Sequence, residues 1–191
     1  MRPAVVTALI IATALFMENM DGTVLATSLP AIAADLSEDP IVLKLALTSY
    51  MLTLAVFIPA SGWVADKLGA RTVFCTAIVT FTLGSVLCGA SYNLETLIAA
   101  RVFQGLGGAM MVPVGRLVPK SELVGALAYF TIPALIGPIL GPPLGGFITT
   151  YFHWRWIFWI NVPIGLLGVA LTLRFIENVR ERDIAAFDTK G

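Results

Sequence analysis

The chain has 191 residues, 58% hydrophobic and 13% charged, with a mean hydropathy of +0.88. A soluble domain is usually about 25% charged, so this composition excludes an ordinary soluble domain and requires a membrane protein. Twelve Lys and Arg against twelve Asp and Glu exclude a nucleic-acid binder, which needs an excess of cations on one face.

Charged residues divide the sequence into long apolar runs. These predict an all-α integral membrane protein, a bundle of six transmembrane helices over 4–34, 41–65, 72–94, 96–117, 123–151 and 156–173. The segment 176–191 is expected to be a cytoplasmic tail or the start of a linker. Strands would alternate with polar residues, and these runs do not.

The first span is interrupted only by Glu18 and Asp21. Arg2, an apolar stretch and Ala31-Ile32-Ala33 imitate a signal peptide, but the two carboxylates lie between the apolar stretch and the cleavage-like site. The segment is therefore expected to be retained. Three residues apart, Glu18 and Asp21 share a helix face. A carboxylate at the bilayer centre costs about 2.5–3.5 kcal/mol, so it should face a bundle interior or a wet cavity. A carboxyl removed from water loses its preference for the charged form and can take up a proton. Both residues are candidates for proton coupling, and the plain alternative is a structural polar contact between helices.

The second span is uncharged at its centre and holds Tyr50, a candidate for lining a cavity. Between spans two and three, Gly62 and Gly69 permit a tight reversal. Asp66 could cap the third helix or pair with Arg71. The third span holds Cys75 and Cys88, which would stand roughly 20 Å apart on one helix, too far to form a disulfide. Arg101 lies six residues after Glu95, roughly 9 Å below the outer end of the fourth span. Facing inward, it would pair with Asp21 or Glu18, with Gln104 on the same face as a second cavity-lining candidate.

In the fifth span Gly137, Gly141 and Gly145 make a ridge without side chains, which lets two backbones approach closely. Its four prolines, Pro133, Pro138, Pro142 and Pro143, predict a kink. Before the sixth span, Trp154, Trp156 and Trp159 read as an interfacial belt, with the lone histidine, His153, as an interface residue beside them. No Ser/His/Asp set, phosphate loop or metal-spaced cluster is present in the sequence. Neither an enzymatic activity nor a metal or cofactor is expected.

Orientation follows from the cations. Lys67, Arg71, Arg116, Lys120 and Arg174 are among nine on one side, against Lys44 and Arg155 on the other. Both termini are therefore expected in the cytoplasm.

Four motifs, in order, resemble the major facilitator superfamily. The turn Gly62…Asp66-Lys67-Leu68-Gly69-Ala70-Arg71 resembles its signature between spans two and three, departing at Ala70, where a basic residue is more usual. Leu97 to Ala109, with Arg101, Gln104 and Gly105, resembles the fourth-span motif whose arginine the family links to proton coupling. Gly137-Pro138-Ile139-Leu140-Gly141-Pro142-Pro143-Leu144-Gly145-Gly146 resembles the fifth-span motif of antiporters. Met20-Asp21-Gly22-Thr23-Val24 through Leu29-Pro30 resembles the first-span motif of drug:proton antiporters with fourteen spans, the EmrB/QacA type. The segment Trp154 to Gly165 is similar to the same branch.

The resemblance covers nearly the whole chain and implies the N-terminal half of a proton-coupled multidrug efflux antiporter in a cell inner membrane. The implied partners are an amphiphilic drug-like substrate, protons, the lipid bilayer, and a second six- or eight-helix half or a second copy. The driving force would be the proton gradient. Between Arg116 and Lys120 the chain is about five residues shorter than such relatives, roughly 7 Å of helix. A truncated, non-transporting membrane module and a half-transporter acting as a dimer are the alternatives.

Overall fold

Local chemistry sets the helix ends in the computed structural model, which describes residues 3–117 and 123–176. Helix α1 (Pro3–Leu36) closes where Ser37 takes a left-handed conformation and the Glu38 N–H returns to the Ala33 carbonyl. Helix α2 (Pro40–Leu68) starts at Asp39, whose side chain accepts from the Ile41 N–H at 2.7 Å, with Pro40 next to it. Helix α3 (Ala70–Ala90) follows a reversal made at Gly69, φ 92°. Asn93 and Thr96 form a reciprocal capping box that starts α4 (Leu94–Met111). A 3-10 segment, Val112–Leu117, continues α4, and then come α5 (Leu123–Tyr151), α6 (Trp156–Trp159) and α7 (Asn161–Phe175).

The six predicted segments are all helical, with three differences. Gly62 lies inside α2, so Gly69 alone makes the reversal. The N-cap residue of α3 is also Gly69, while Asp66 belongs to α2. Helix α5 runs unbroken through its prolines, whereas the sixth segment is divided at Ile160. Pro163 explains the division: it has no N–H to give the Trp159 carbonyl, and it fits the first turn of a new helix. Arg2, residues 118–122 of the shortened stretch with Lys120 among them, and the tail from 177 onward lie outside the described residues.

Helix α1 packs between α5 and α7, α3 between α4 and α7, and α4 between α2 and α3, with α2 closing back on α1. Glycines permit the closest approaches. A Cβ at Gly137 would stand 2.9 Å from the Asn19 Cβ, one at Gly141 would fall on the Thr23 side chain, and one at Gly145 would fall on Thr27. Each pair is offset by the same 118 positions, so α1 and α5 run parallel, and the glycine ridge of one receives the Asn19–Thr23–Thr27 row of the other. The Thr23 hydroxyl reaches the Gly137 carbonyl at 3.4 Å. Pro142 and Gly146 face outward instead. The contact of α3 with α6 and α7 is antiparallel: Gly89 meets Trp159, Ser85 meets Asn161, Gly165 meets Thr82 and Gly168 meets Ile78.

The outer surface is apolar, with Ile41, Met51, Leu52 and Val56 of α2, Ile139 and Phe147 of α5, and Leu166 of α7 exposed. The centre is polar, holding Asp21, Ser85, Arg101, Gln104 and Asn161. Water would penalise that arrangement and lipid favours it. Among the described residues, four helical stretches are long and apolar enough to cross a bilayer: Val5–Leu36, Pro40–Leu68, Ala70–Ala90 and the α6–α7 rod Trp156–Phe175. The molecule is a multi-pass α-helical membrane bundle.

The aromatic segment departs from the simple belt. Trp156 and Trp159 are exposed, but Trp154 is buried, donating from Nε1 to Asp35 Oδ2 at 2.8 Å. Arg155 donates to the same oxygen at 3.1 Å and to the Ser91 carbonyl at 2.9 Å. His153 Nε2 lies 3.5 Å from Asp35 Oδ1. This clasp ties the ends of α1 and α3 to the start of α6.

Gly141→Ala is expected to destabilise the bundle by about 1–3 kcal/mol, because the added carbon meets Thr23. Gly146→Ala, with nothing within 4 Å of its Cβ, should be neutral. Thermal unfolding of the two variants in detergent checks the contrast.

Candidate functional site

Arg101 is fully buried, and Asp21 is nearly so at 3% exposed. Arg101 Nη1 donates to Asp21 Oδ2 at 2.5 Å and to Gln104 Oε1 at 2.6 Å, and its Nε reaches the Ala46 carbonyl at 3.4 Å. The guanidinium carbon lies 4.2 Å from the centre of the Tyr50 ring and 5.9 Å from that of Phe158, which supplies cation–π attraction where water is excluded. The other carboxylate oxygen, Asp21 Oδ1, accepts from Gln104 Nε2 at 3.0 Å and from Asn161 Nδ2 at 2.9 Å. Both amides also donate to Ser85 Oγ, at 2.8 and 3.2 Å. Cys88 Sγ lies 3.5 Å from Gln104 Oε1.

Every side-chain partner of Asp21 is a donor, which suits an ionised carboxylate, an acceptor at both oxygens. The network draws on five helices: Asp21 from α1, the Ala46 carbonyl and Tyr50 from α2, Ser85 and Cys88 from α3, Arg101 and Gln104 from α4, and Asn161 from α7. Close α3–α4 packing makes this possible. A Cβ at Gly84 would meet the Gln104 backbone at 2.6 Å, and one at Gly107 the Phe81 nitrogen at 2.5 Å. Among the described residues, Arg101 Nη2 and Asn161 Oδ1 are buried without a hydrogen-bond partner.

Glu18 stands one helical turn before Asp21 and is half-buried. Its carboxylate and the Tyr50 hydroxyl converge on Gly108, where a Cβ would lie 2.8 Å from Tyr50 Oη and 3.4 Å from Glu18 Oε1. The pairing left open in the sequence thus falls to Asp21, with Glu18 to one side. Gln104 and Tyr50, expected to line a cavity, are both buried and belong to the network's interior.

The turn motif lies apart from this centre. Arg71 Nη2 donates to the Leu173 carbonyl at 2.6 Å, so a cation from the start of α3 caps the last turn of α7, where the helix dipole favours positive charge. Lys67 stacks over Trp63 at 4.7 Å. The glycine ridge Gly137, Gly141 and Gly145 holds α5 against the α1 face that carries Asn19, Thr23 and Thr27.

Ser85 and Asn161 are absent from the sequence-based candidates. Ser85 sits in an uncharged run and makes no motif. Asn161 offers a weak signal, an amide inside an apolar segment, where polar side chains bond between helices.

An apolar exterior around a buried ion pair, with small-residue ridges between helices, defines a polytopic membrane protein whose charges serve its interior. The model of the Major Facilitator Superfamily matches residues 11–189, and the chain belongs to that family. Among its relatives are proteins carrying the name "Putative multidrug resistance protein MdtD". The one from Serratia proteamaculans is 48% identical over 187 residues, covering 95% of this chain and 39% of the relative. The one from Cronobacter sakazakii is 50% identical over 174 residues, covering 88% and 37%. The one from Yersinia enterocolitica is 48% identical over 187 residues, covering 95% and 40%. The chain spans about two fifths of the length of these relatives.

Arg101→Lys should lower stability by about 1–3 kcal/mol, because an ammonium cannot reproduce the guanidinium's bonds to Asp21, Gln104 and Ala46 or its stacking on Tyr50. Arg155→Lys, in the partly exposed clasp, should lose less than about 1 kcal/mol. Denaturant titration followed by tryptophan fluorescence compares the two.

Proposed function

We propose that this protein is the N-terminal bundle of a proton-coupled multidrug efflux antiporter in a bacterial inner membrane, both termini cytoplasmic. The observation that carries this reading is the Asp21–Arg101 ion pair, sealed inside the bundle of a chain whose relatives are named for multidrug resistance. The proton gradient is the driving force and an amphiphilic drug-like molecule the cargo.

The mechanism follows from the energetics of buried charge. A proton reaching Asp21 removes the negative partner of Arg101, and an uncompensated charge in a dry interior is worth about 3–5 kcal/mol of destabilisation. That is enough to favour a different packing of α1 against α4. Loss of the proton restores the pair and the first arrangement. Glu18, half-buried beside the Tyr50 hydroxyl, is the more accessible carboxylate and serves proton or substrate before Asp21 does.

The ridge Gly137–Gly141–Gly145 keeps α5 moving with α1, while Pro142 and Gly146 present a side-chain-poor face outward. The Gly62–Asp66–Gly69–Arg71 turn, through Arg71 on α7, is the cytoplasmic latch between conformations. A second half, or a second copy, completes the substrate site, as in transporters whose sites lie between repeats.

Asp21→Asn in the full-length protein should abolish proton-driven efflux of an organic cation from everted vesicles and leave energy-independent binding in place. Unchanged proton-driven efflux in that variant would refute the assignment.

A further inference from the structure

We propose that Asn161, held in place by Ser85, is a positioning residue for Asp21: it fixes the Oδ1 side of the carboxylate and sets the pH at which the site takes up its proton. This extends the reading of Asp21 as the coupling carboxylate and rests on it only for the consequence in transport.

Three observations carry it. Asn161 is fully buried and spends both its bonds from Nδ2, on Asp21 at 2.9 Å and on Ser85 at 3.2 Å, while its Oδ1 has no partner among the described residues. An amide placed only for packing would satisfy its oxygen, since a buried unpaired acceptor is destabilising. Its orientation is dictated by the carboxylate, because turning the amide over would set oxygen against oxygen.

The second observation is that Asn161 stands in the first turn of α7, where Pro163 has no N–H to give, and lies fully buried within bonding distance of Asp21. The third is the antiparallel contact of α3 with α6 and α7. Gly89 on Trp159 and Thr82 on Gly165 flank the Ser85–Asn161 rung, so the amide's position is fixed by packing on both sides.

The charged and titratable groups facing Asp21 are Glu18 from α1, Tyr50 from α2, Cys88 from α3 and Arg101 from α4. Helices α6 and α7 bring Phe158 and Asn161, neither of which titrates. Helix α5 packs along a different face of α1, at Asn19, Thr23 and Thr27. Arg101 holds Oδ2, so Asn161 and Gln104 together determine Oδ1. A donor to a carboxylate favours its ionised form, and removing that donor should move proton uptake toward alkaline pH.

The test is a pH titration of the purified full-length protein by infrared difference spectroscopy, following the carboxyl band that disappears in Asp21→Asn. Asn161→Leu, similar in size but without a donor, should shift the midpoint of that band upward by about one pH unit. Ser85→Ala should shift it in the same direction by less, and the pH profile of efflux should move with it. Ser85→Ala also decides the matter if Asn161→Leu does not fold.

A wild-type midpoint in these variants would overturn the proposal, even if their stability falls. Should Asp21→Asn leave proton-driven efflux intact, the coupling reading fails, while the shift of the Asp21 band still decides whether Asn161 positions the carboxylate.

Discussion

A charged pair inside an apolar bundle is the constraint on which the rest of the molecule depends. Arg101 and Asp21 are both shut off from solvent, and neither could stand there alone, since burying one unpaired charge is far more unfavourable than burying a bonded pair. Their pairing requires α1 and α4 to meet at one depth. The second oxygen of Asp21 then requires donors, supplied by Gln104 one turn along α4 and by Asn161 at the start of α7. Ser85 accepts from both amides and brings in α3. A single carboxylate thus specifies the mutual register of four helices.

Such a network is weak evidence of stability, because a well-packed apolar core often does as well. Its presence in a bundle that already has two large apolar clusters points to something packing does not provide. A structure held by charge can be switched by a proton, whereas one held by dispersion cannot. The small-residue ridges complement this. Gly137, Gly141 and Gly145 against Asn19, Thr23 and Thr27 make α1 and α5 a closely packed pair, so a change at Asp21 would move both helices together.

The sequence made the class of fold plain because lipid imposes two demands at once, length and apolarity, and both show in composition. Asp21 and Arg101 stood out because a bilayer interior rarely tolerates charge, and Gly141 because its four-residue repeat is periodic. The missed parts share a cause. Ser85 and Asn161 are small neutral polar residues whose importance lies in what stands opposite them, and opposition between distant helices is not encoded in local spacing. Trp154 shares the spacing of its exposed neighbours, and its burial follows from Asp35, 119 positions away. Gly62 carries the same turn signal as Gly69, but Gly69 makes the reversal unaided.

The central claim is that protonation of Asp21 and separation of Arg101 are one event. It is tested most directly by counting protons released when an organic cation such as tetraphenylphosphonium binds the purified full-length protein in weakly buffered detergent solution. The account predicts release in the wild type at a pH where the site is protonated, and none in Asp21→Asn that still binds the cation. Equal release from the two would contradict it.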